Sequence, residues 1–156
     1  VYVHADGFKK SISAPGPGNY LTMARAVGLA STLLGDDVVR NASFVQAHGS
    51  STPHNRVTES QIFDRVAEHF GISSWPVAAV KSYLGHSLGP ASGDQLANTL
   101  GIFKHGIVPG IKTIDGVADD VLLGLSDGRA QQHCDRQQAT EDCSHARFPV
   151  EVSSRF

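Results

Sequence analysis

The sequence predicts a single α/β domain, and three observations support this fold class. The chain has 156 residues, of which 40% are hydrophobic, which is enough to bury a core without disulfides or metal. Short apolar segments alternate with segments of helical periodicity, as expected for strands followed by helices. Two of the strands run into polar loops that contain glycine and histidine. Because the sites of α/β proteins lie at the carboxyl ends of strands, these loops form the candidate site.

The N-terminal region predicts a strand, a turn and a helix. Residues 2–5 are extended in character, and the Pro- and Gly-rich segment 13–19 predicts a turn. Apolar residues three and four positions apart predict a helix over 20–34, with Asn19 as its N-cap and Gly35 at its end.

Two strand, loop and helix units follow. In the first unit, the apolar segment 42–47 ends in the loop 48–53, and a helix over 57–70 has Thr58 or Asn55 as its N-cap. In the second unit, a strand, a polar loop and a helix are predicted at 77–80, 81–86 and 95–104. Further β-like segments are 107–114, 121–125 and 148–153.

Charge and composition exclude several classes of partner. Charged residues are 18% of the chain and the net charge is −2, which argues against nucleic acid and membranes as partners. No apolar run approaches the ~18 residues of a spanning helix. Cys134 and Cys143 lie in the polar segment 127–147, which is expected to be an exposed or disordered loop. This cysteine usage favours a reducing cytoplasm.

His48 and His86 are the candidate catalytic residues. Each follows a predicted strand and is surrounded by small residues that let a substrate approach the backbone. Two neutral imidazoles aimed at one carbonyl oxygen can donate N–H groups to it as negative charge develops. Lys81, five residues before His86, can fix a tautomer or the local potential. On spacing alone, the alternative is a pair of structural histidines with Lys81 at the surface.

Two segments around these histidines carry specific motifs. They are Gln46-Ala-His-Gly-Ser-Ser-Thr-Pro53 and Val80-Lys-Ser-Tyr-Leu-Gly-His86. In order and approximate separation they resemble the EAHGTGTP and TKSxxGH motifs of the β-ketoacyl synthases, the condensing enzymes of fatty acid and polyketide synthesis. The similarity extends over about residues 1–125, and the segment 152–156 resembles the approach to the family's glycine-rich SFGFGG loop. Further matching positions are Asp6-Gly7, Ala14-Pro15, Asn55, Glu59 and 106–109.

The resemblance implies a thiolase-like fold, in which two similar α/β halves pack their sheets against shared helices. Residues 1–156 are then expected to be the C-terminal half of a larger enzyme, a mixed sheet with helices packed on its faces. The implied activity is that of an acyltransferase, the decarboxylative Claisen condensation of malonyl-acyl carrier protein with an acyl thioester in fatty acid or polyketide synthesis.

The resemblance also implies partners for the chain. These are acyl carrier protein, malonyl and acyl thioesters, the N-terminal half of the same enzyme and a second copy in a homodimer. No cofactor is expected, since the substrates are carried on the phosphopantetheine of acyl carrier protein or on coenzyme A.

The roles of the family's residues transfer by position. His48 and His86 match the histidines that polarise the malonyl thioester carbonyl and stabilise the enolate, and Lys81 matches the lysine that supports this pair. Ser50 and Thr52 match the hydroxyl residues that bind the phosphopantetheine arm, whose amides need hydrogen-bond partners.

The family's nucleophilic cysteine lies in the other half of the enzyme. Neither Cys134 nor Cys143 is therefore assigned as a nucleophile, and the isolated chain is expected to be inactive. A non-catalytic module that binds acyl carrier protein or dimerises is the alternative function. No metal is expected, because the adjacent positions of His133 and Cys134 fit poorly with zinc-ligand spacing. A hydrolase triad is disfavoured because the chain has no Gly-x-Ser-x-Gly elbow.

Several positions depart from the family pattern. Ser51 stands where the family often has Gly, and Arg56 stands where it has an acidic residue. Nine residues after the second histidine, where many members carry Glu, this chain has Gln95 preceded by Asp94. The partner of the motif lysine is therefore open, and Asp94, Glu59 or neutral groups can fill this role.

Overall fold

The computed structural model describes residues 2–4, 6, 16–111, 114, 118, 119 and 145–147. The helices are α1 (Pro17–Leu34), α2 (Asp36–Ala42), α3 (Pro53–Phe70), α4 (Lys81–Leu84) and α5 (Ala91–His105). The strands are β1 (Val45–Gln46), β2 (Val77–Ala78), β3 (Ile107–Pro109) and β4 (His145–Arg147). Expectations that lie outside the described residues are the strands 121–125 and 148–153, both cysteines, and the matches at Gly7, Ala14-Pro15 and 152–156.

Helix α1 begins three residues earlier than its periodicity predicts. Pro17 occupies its first turn, where a missing backbone N–H costs nothing, and Asn19 lies inside the helix rather than at its N-cap. The Gly18 N–H instead donates to Asp6 Oδ1 at 2.8 Å, so a carboxylate from a distant residue stabilises the helix start. The helix ends at the predicted Gly35.

Helix α2 precedes the segment predicted as a strand and overlaps it at Ala42. Asp36 and Asp37 lie in its first turn and Arg40 in its last, which complements the helix dipole at both ends. The predicted strand 42–47 is reduced to β1. Of the predicted strand 107–114, residues 107–109 form β3, and the described residues 110, 111 and 114 lie outside it.

Helix α3 has Thr52 as its N-cap, so the prediction of Thr58 or Asn55 is wrong. The Thr52 hydroxyl accepts a hydrogen bond from the Asn55 N–H at 3.3 Å, and Pro53 follows at the first helical position. At the other end, Gly71 adopts the left-handed conformation, with φ of 68°.

The predicted loop 81–86 contains one helical turn, α4, which begins at Lys81. Helix α5 begins at Ala91, four residues before the predicted start, and ends at His105. The last three residues of the segment expected to be an exposed or disordered loop, 145–147, form β4.

The strands form one parallel and one antiparallel pair. β1 lies parallel to β2, with Val45 opposite Val77, and β3 lies antiparallel to β4. This α/β arrangement agrees with the predicted thiolase-like fold class. The main apolar core lies between the helices and β1, and its buried residues are Val39, Val45, Ile62, Val66, Ala67, Ile72 and Trp75. In the described part of the chain, no helix is long and apolar enough to span a bilayer.

Candidate active site

The parallel pairing of β1 and β2 brings the two histidine loops together. Ala47 donates its N–H to the Ala78 carbonyl at 2.8 Å, so the two chains leave the sheet side by side. His48 follows at once, and His86 follows after the short helix α4. The two imidazole centroids lie 5.2 Å apart, with the ring planes at 78°. The structure therefore joins two residues that lie 38 positions apart in the sequence.

Lys81 is buried beside this pair, with 8% of its surface exposed. Its Nζ donates to the backbone carbonyl oxygen of His48 at 2.5 Å and lies 3.5 Å from His48 Nδ1. Among the described residues Lys81 forms no ion pair. Of the partners that the sequence left open for this lysine, the structure therefore shows the neutral groups. The alternative prediction from spacing alone, which placed Lys81 at the protein surface, is therefore wrong.

Glu59 supports the first histidine loop through its backbone. Its Oε1 accepts from the His48 N–H at 2.7 Å, and its Oε2 accepts from the Gly49 N–H at 2.8 Å. The Asn55 side-chain amide, one turn earlier on α3, donates to the same Oε2 at 2.6 Å. The carboxylate thus fixes the direction in which the loop leaves β1.

Gln95 and Asp94 do not bind Lys81 but form hydrogen bonds with other groups near the histidine pair. Gln95 Nε2 donates to the Ala47 carbonyl oxygen at 2.6 Å, which ties α5 to the end of β1. Asp94 accepts a hydrogen bond from the hydroxyl of Ser87, the residue after His86. Each of the two residues therefore restrains one histidine loop.

Hydrogen bonds assign the same tautomer to both imidazoles. His86 Nδ1 accepts from the Leu88 N–H at 3.0 Å, so the neutral ring carries its proton on Nε2. His48 Nδ1 faces the Lys81 ammonium, which can only donate, so this ring also carries its proton on Nε2. Each neutral ring therefore has its Nε2–H group as its hydrogen-bond donor.

The electrostatic surroundings keep His48 neutral. Loss of water around the ring and then the Lys81 ammonium lower the pKa of His48 below its ordinary value of 6.5. The Glu59 carboxylate opposes this effect, and His86 adds to it. A neutral imidazole donates a hydrogen bond without carrying a charge that would have to be desolvated when substrate binds.

The two hydroxyl residues of the first motif lie next to each other. Ser50 Oγ and Thr52 Oγ1 are 3.2 Å apart, at the start of α3. Between them, Ser51 has a φ of 61°, in the left-handed region that favours glycine. The glycine found here in the family motif would adopt this conformation without strain.

Sequence reasoning missed the backbone donor that fixes the second imidazole. The Leu88 N–H carries no residue-specific signal, and Leu88 itself has a φ of 64°. The contact between Asn55 and Glu59 was also missed. The two residues lie four positions apart on one helix, and this spacing could have predicted that their side chains meet. His133 and Cys134, the positions weighed as zinc ligands, lie outside the described residues.

Comparison with known proteins identifies related sequences. The family described as "Beta-ketoacyl synthase, C-terminal domain" matches residues 1–115. The β-ketoacyl-[acyl-carrier-protein] synthase FabY of Pseudomonas aeruginosa is 71% identical over 121 residues, which are 78% of this chain and 19% of that protein. A fatty acid synthase alpha subunit, stcJ of Emericella nidulans, is 33% identical over an alignment that covers 78% of this chain and 8% of that protein.

A solved structure shows the same fold. The crystal structure of the ketosynthase FabY from P. aeruginosa superimposes with a TM-score of 0.74 and 68% identity, covering 80% of this chain and 20% of that one. The chain therefore spans about a fifth of the length of this relative.

Proposed function

Because the chain belongs to the β-ketoacyl synthase family and matches its C-terminal domain, we propose that it supplies part of the active site of a condensing enzyme. The proposed reaction is the decarboxylative Claisen condensation of malonyl-acyl carrier protein with an acyl thioester in fatty acid biosynthesis. The observation that carries this proposal is the His48 and His86 pair, 5.2 Å apart, with both Nδ1 atoms already engaged.

In the first step, the two Nε2–H groups donate to the thioester carbonyl oxygen of the malonyl group. The bond between the malonyl α-carbon and its carboxylate breaks, carbon dioxide leaves, and the electron pair forms an enolate. Donors fixed before the reaction stabilise this negative charge at no reorganisation cost. Lys81 acts through His48, since it holds both the carbonyl oxygen and the Nδ1 side of that residue.

In the second step, the enolate carbon attacks the carbonyl of an acyl group held as a thioester on a cysteine. A carbon–carbon bond forms, the cysteine thiolate leaves, and a 3-oxoacyl thioester remains on the carrier arm. We propose that this cysteine and the opposite wall of the active site belong to the N-terminal half of the enzyme. The isolated chain is therefore expected to be inactive.

The Ser50 and Thr52 hydroxyls are proposed to bind the amides of the phosphopantetheine arm. One hydroxyl donates to the other across 3.2 Å, so the pair keeps one O–H donor together with oxygen lone pairs that can accept from the arm. The substrates come as thioesters of acyl carrier protein or coenzyme A, so the proposal requires no resident cofactor. We place the reaction in the cytoplasm.

One face of α5 supports the proposal of a second half. Leu96, Leu100 and Phe103 recur at helical spacing, and each is 60% exposed. Such an exposed apolar stripe is unusual on a helix with no partner. Because the relative FabY is about five times longer than the aligned segment, we propose that the N-terminal half covers this stripe. A second copy in a homodimer is the other proposed protein partner, besides acyl carrier protein.

The test uses the full-length protein that carries this segment. His48→Ala and His86→Ala are each expected to lower the rate of carbon dioxide release from malonyl-acyl carrier protein by roughly 10²-fold or more. His54→Ala is the matched control, because His54 is exposed at the start of α3 and outside the pair. Decarboxylation at the wild-type rate in both variants of the pair would exclude the mechanism.

A further inference from the structure

Helix α4 connects Lys81, its first residue, to His86, which follows its last residue by two positions. The turn is closed by hydrogen bonds from the Leu84 N–H to the Val80 carbonyl at 3.2 Å and from the Gly85 N–H to the Lys81 carbonyl at 2.9 Å. A single helical turn has little stability of its own in water. Contacts with the rest of the protein must therefore set its orientation, and with it the position of His86.

Two side chains, Lys81 and Tyr83, anchor α4 through long-range hydrogen bonds within the described residues. On its buried side, Lys81 Nζ donates to the His48 carbonyl oxygen. On its exposed side, the Tyr83 hydroxyl donates to the carbonyl oxygen of Gly110. The remaining side-chain bond of the turn, from Ser82 to a carbonyl three residues earlier, is local and cannot orient the turn against the rest of the chain.

Gly110 is a well-supported anchor point. It directly follows β3, in which Val108 is buried and whose three residues pair with β4. The left-handed Gly106 joins the end of α5 to this strand. The Tyr83 hydroxyl thus connects the turn that precedes His86 to the element that follows α5.

We infer that Tyr83 is a positioning residue that holds His86 beside His48, an inference that rests on the function proposed above. Lys81 fixes the start of α4, and Asp94 holds Ser87, which follows His86 beyond the other end. The Tyr83 hydroxyl adds a fixed point within the turn itself and so restrains the turn from rotating between these two ends. Tyr83 acts through the backbone of α4 and has no contact with the reacting atoms.

The test compares Tyr83→Phe with Tyr2→Phe in the full-length protein. Tyr83→Phe removes only the hydroxyl from a side chain that is 47% exposed, so the fold should be retained, which circular dichroism checks. Tyr2 is 40% exposed and lies outside the site, which makes it the matched control. Loss of one hydrogen bond should lower kcat of malonyl decarboxylation about 5- to 10-fold, with KM unchanged.

A second measurement reports the position of His86 without reference to activity. The ¹⁵N and ¹H NMR signals of the His86 imidazole should shift in Tyr83→Phe and stay in place in Tyr2→Phe. Wild-type kcat and wild-type His86 signals in Tyr83→Phe would overturn the inference and leave the proposed function standing. Decarboxylation at the wild-type rate in both His48→Ala and His86→Ala would instead overturn the proposed function, while the NMR comparison would still decide whether Tyr83 positions His86.

Discussion

Replacing Glu59 by glutamine should destabilise the first histidine loop. The carboxylate accepts three hydrogen bonds, from the N–H groups of His48 and Gly49 and from the Asn55 amide. The amide oxygen of a glutamine can keep the two donors that now share Oε2. Its NH₂ group would then face the His48 N–H, so that two donors oppose each other and one bond is lost.

The magnitude follows from these three bonds. Hydrogen bonds to a charged acceptor contribute about 1.5–3 kcal/mol each, roughly twice the value for neutral pairs. Losing one such bond and converting the other two to neutral bonds should lower the free energy of unfolding by about 3–6 kcal/mol. Urea denaturation followed by circular dichroism measures this change.

A matched control separates this effect from the loss of one negative charge. Glu68→Gln makes the same chemical change on the same helix, α3, at an exposed position. This variant should unfold within about 0.5 kcal/mol of the wild type, as surface substitutions usually do. If Glu59→Gln and Glu68→Gln have the same urea midpoint, the carboxylate does not hold the loop and the reasoning is refuted.

Two further variants test the electrostatics and the backbone of the site. Lys81→Met should raise the pKa of His48 in an NMR titration, because it removes the neighbouring ammonium. Lys104→Met, at an exposed position of α5, should leave this pKa unchanged. The same pKa of His48 in the wild type and both variants would contradict the assigned role of the ammonium. Because the pKa of His48 is lowered on folding, its contribution to wild-type stability is present above pH 6.5 and is lost as the pH falls below that value. Ser51→Gly should raise the free energy of unfolding by about 0.5–1 kcal/mol in urea denaturation, because Ser51 has a φ of 61°. The control Ser74→Gly should not stabilise the protein. A destabilised Ser51→Gly variant would contradict the strain argument.

The meeting of the two histidines could be predicted from the sequence because parallel strands end at the same edge of a sheet. Both motifs follow short apolar segments, and the register of Val45 with Val77 places their loops side by side. The contacts of Lys81 could not be predicted in the same way. Its partners are a carbonyl oxygen and a neutral ring nitrogen, and a carbonyl oxygen is present at every position of the chain.

Local signals failed where several residues compete for one role. Thr52, Asn55 and Thr58 all have side chains that cap helices, and Pro53 at the first helical position is the feature that selects Thr52. Helix α2 has seven residues, too few for apolar periodicity to distinguish it from a loop before β1. The cap of α1 by Asp6 depends on tertiary structure, which no local pattern records.

The Thr52 hydroxyl combines an observed function with a proposed one, and this affects how any variant at that position must be interpreted. Its oxygen accepts from the Asn55 N–H and so begins the helix that carries Glu59, while the same hydroxyl is the proposed partner of the carrier arm. An alanine at this position would therefore weaken substrate binding and loosen the His48 loop at once, and kinetics alone could not separate the two losses. Serine keeps both functions of the oxygen and removes only a methyl group, so Thr52→Ser isolates the packing contribution of the methyl group.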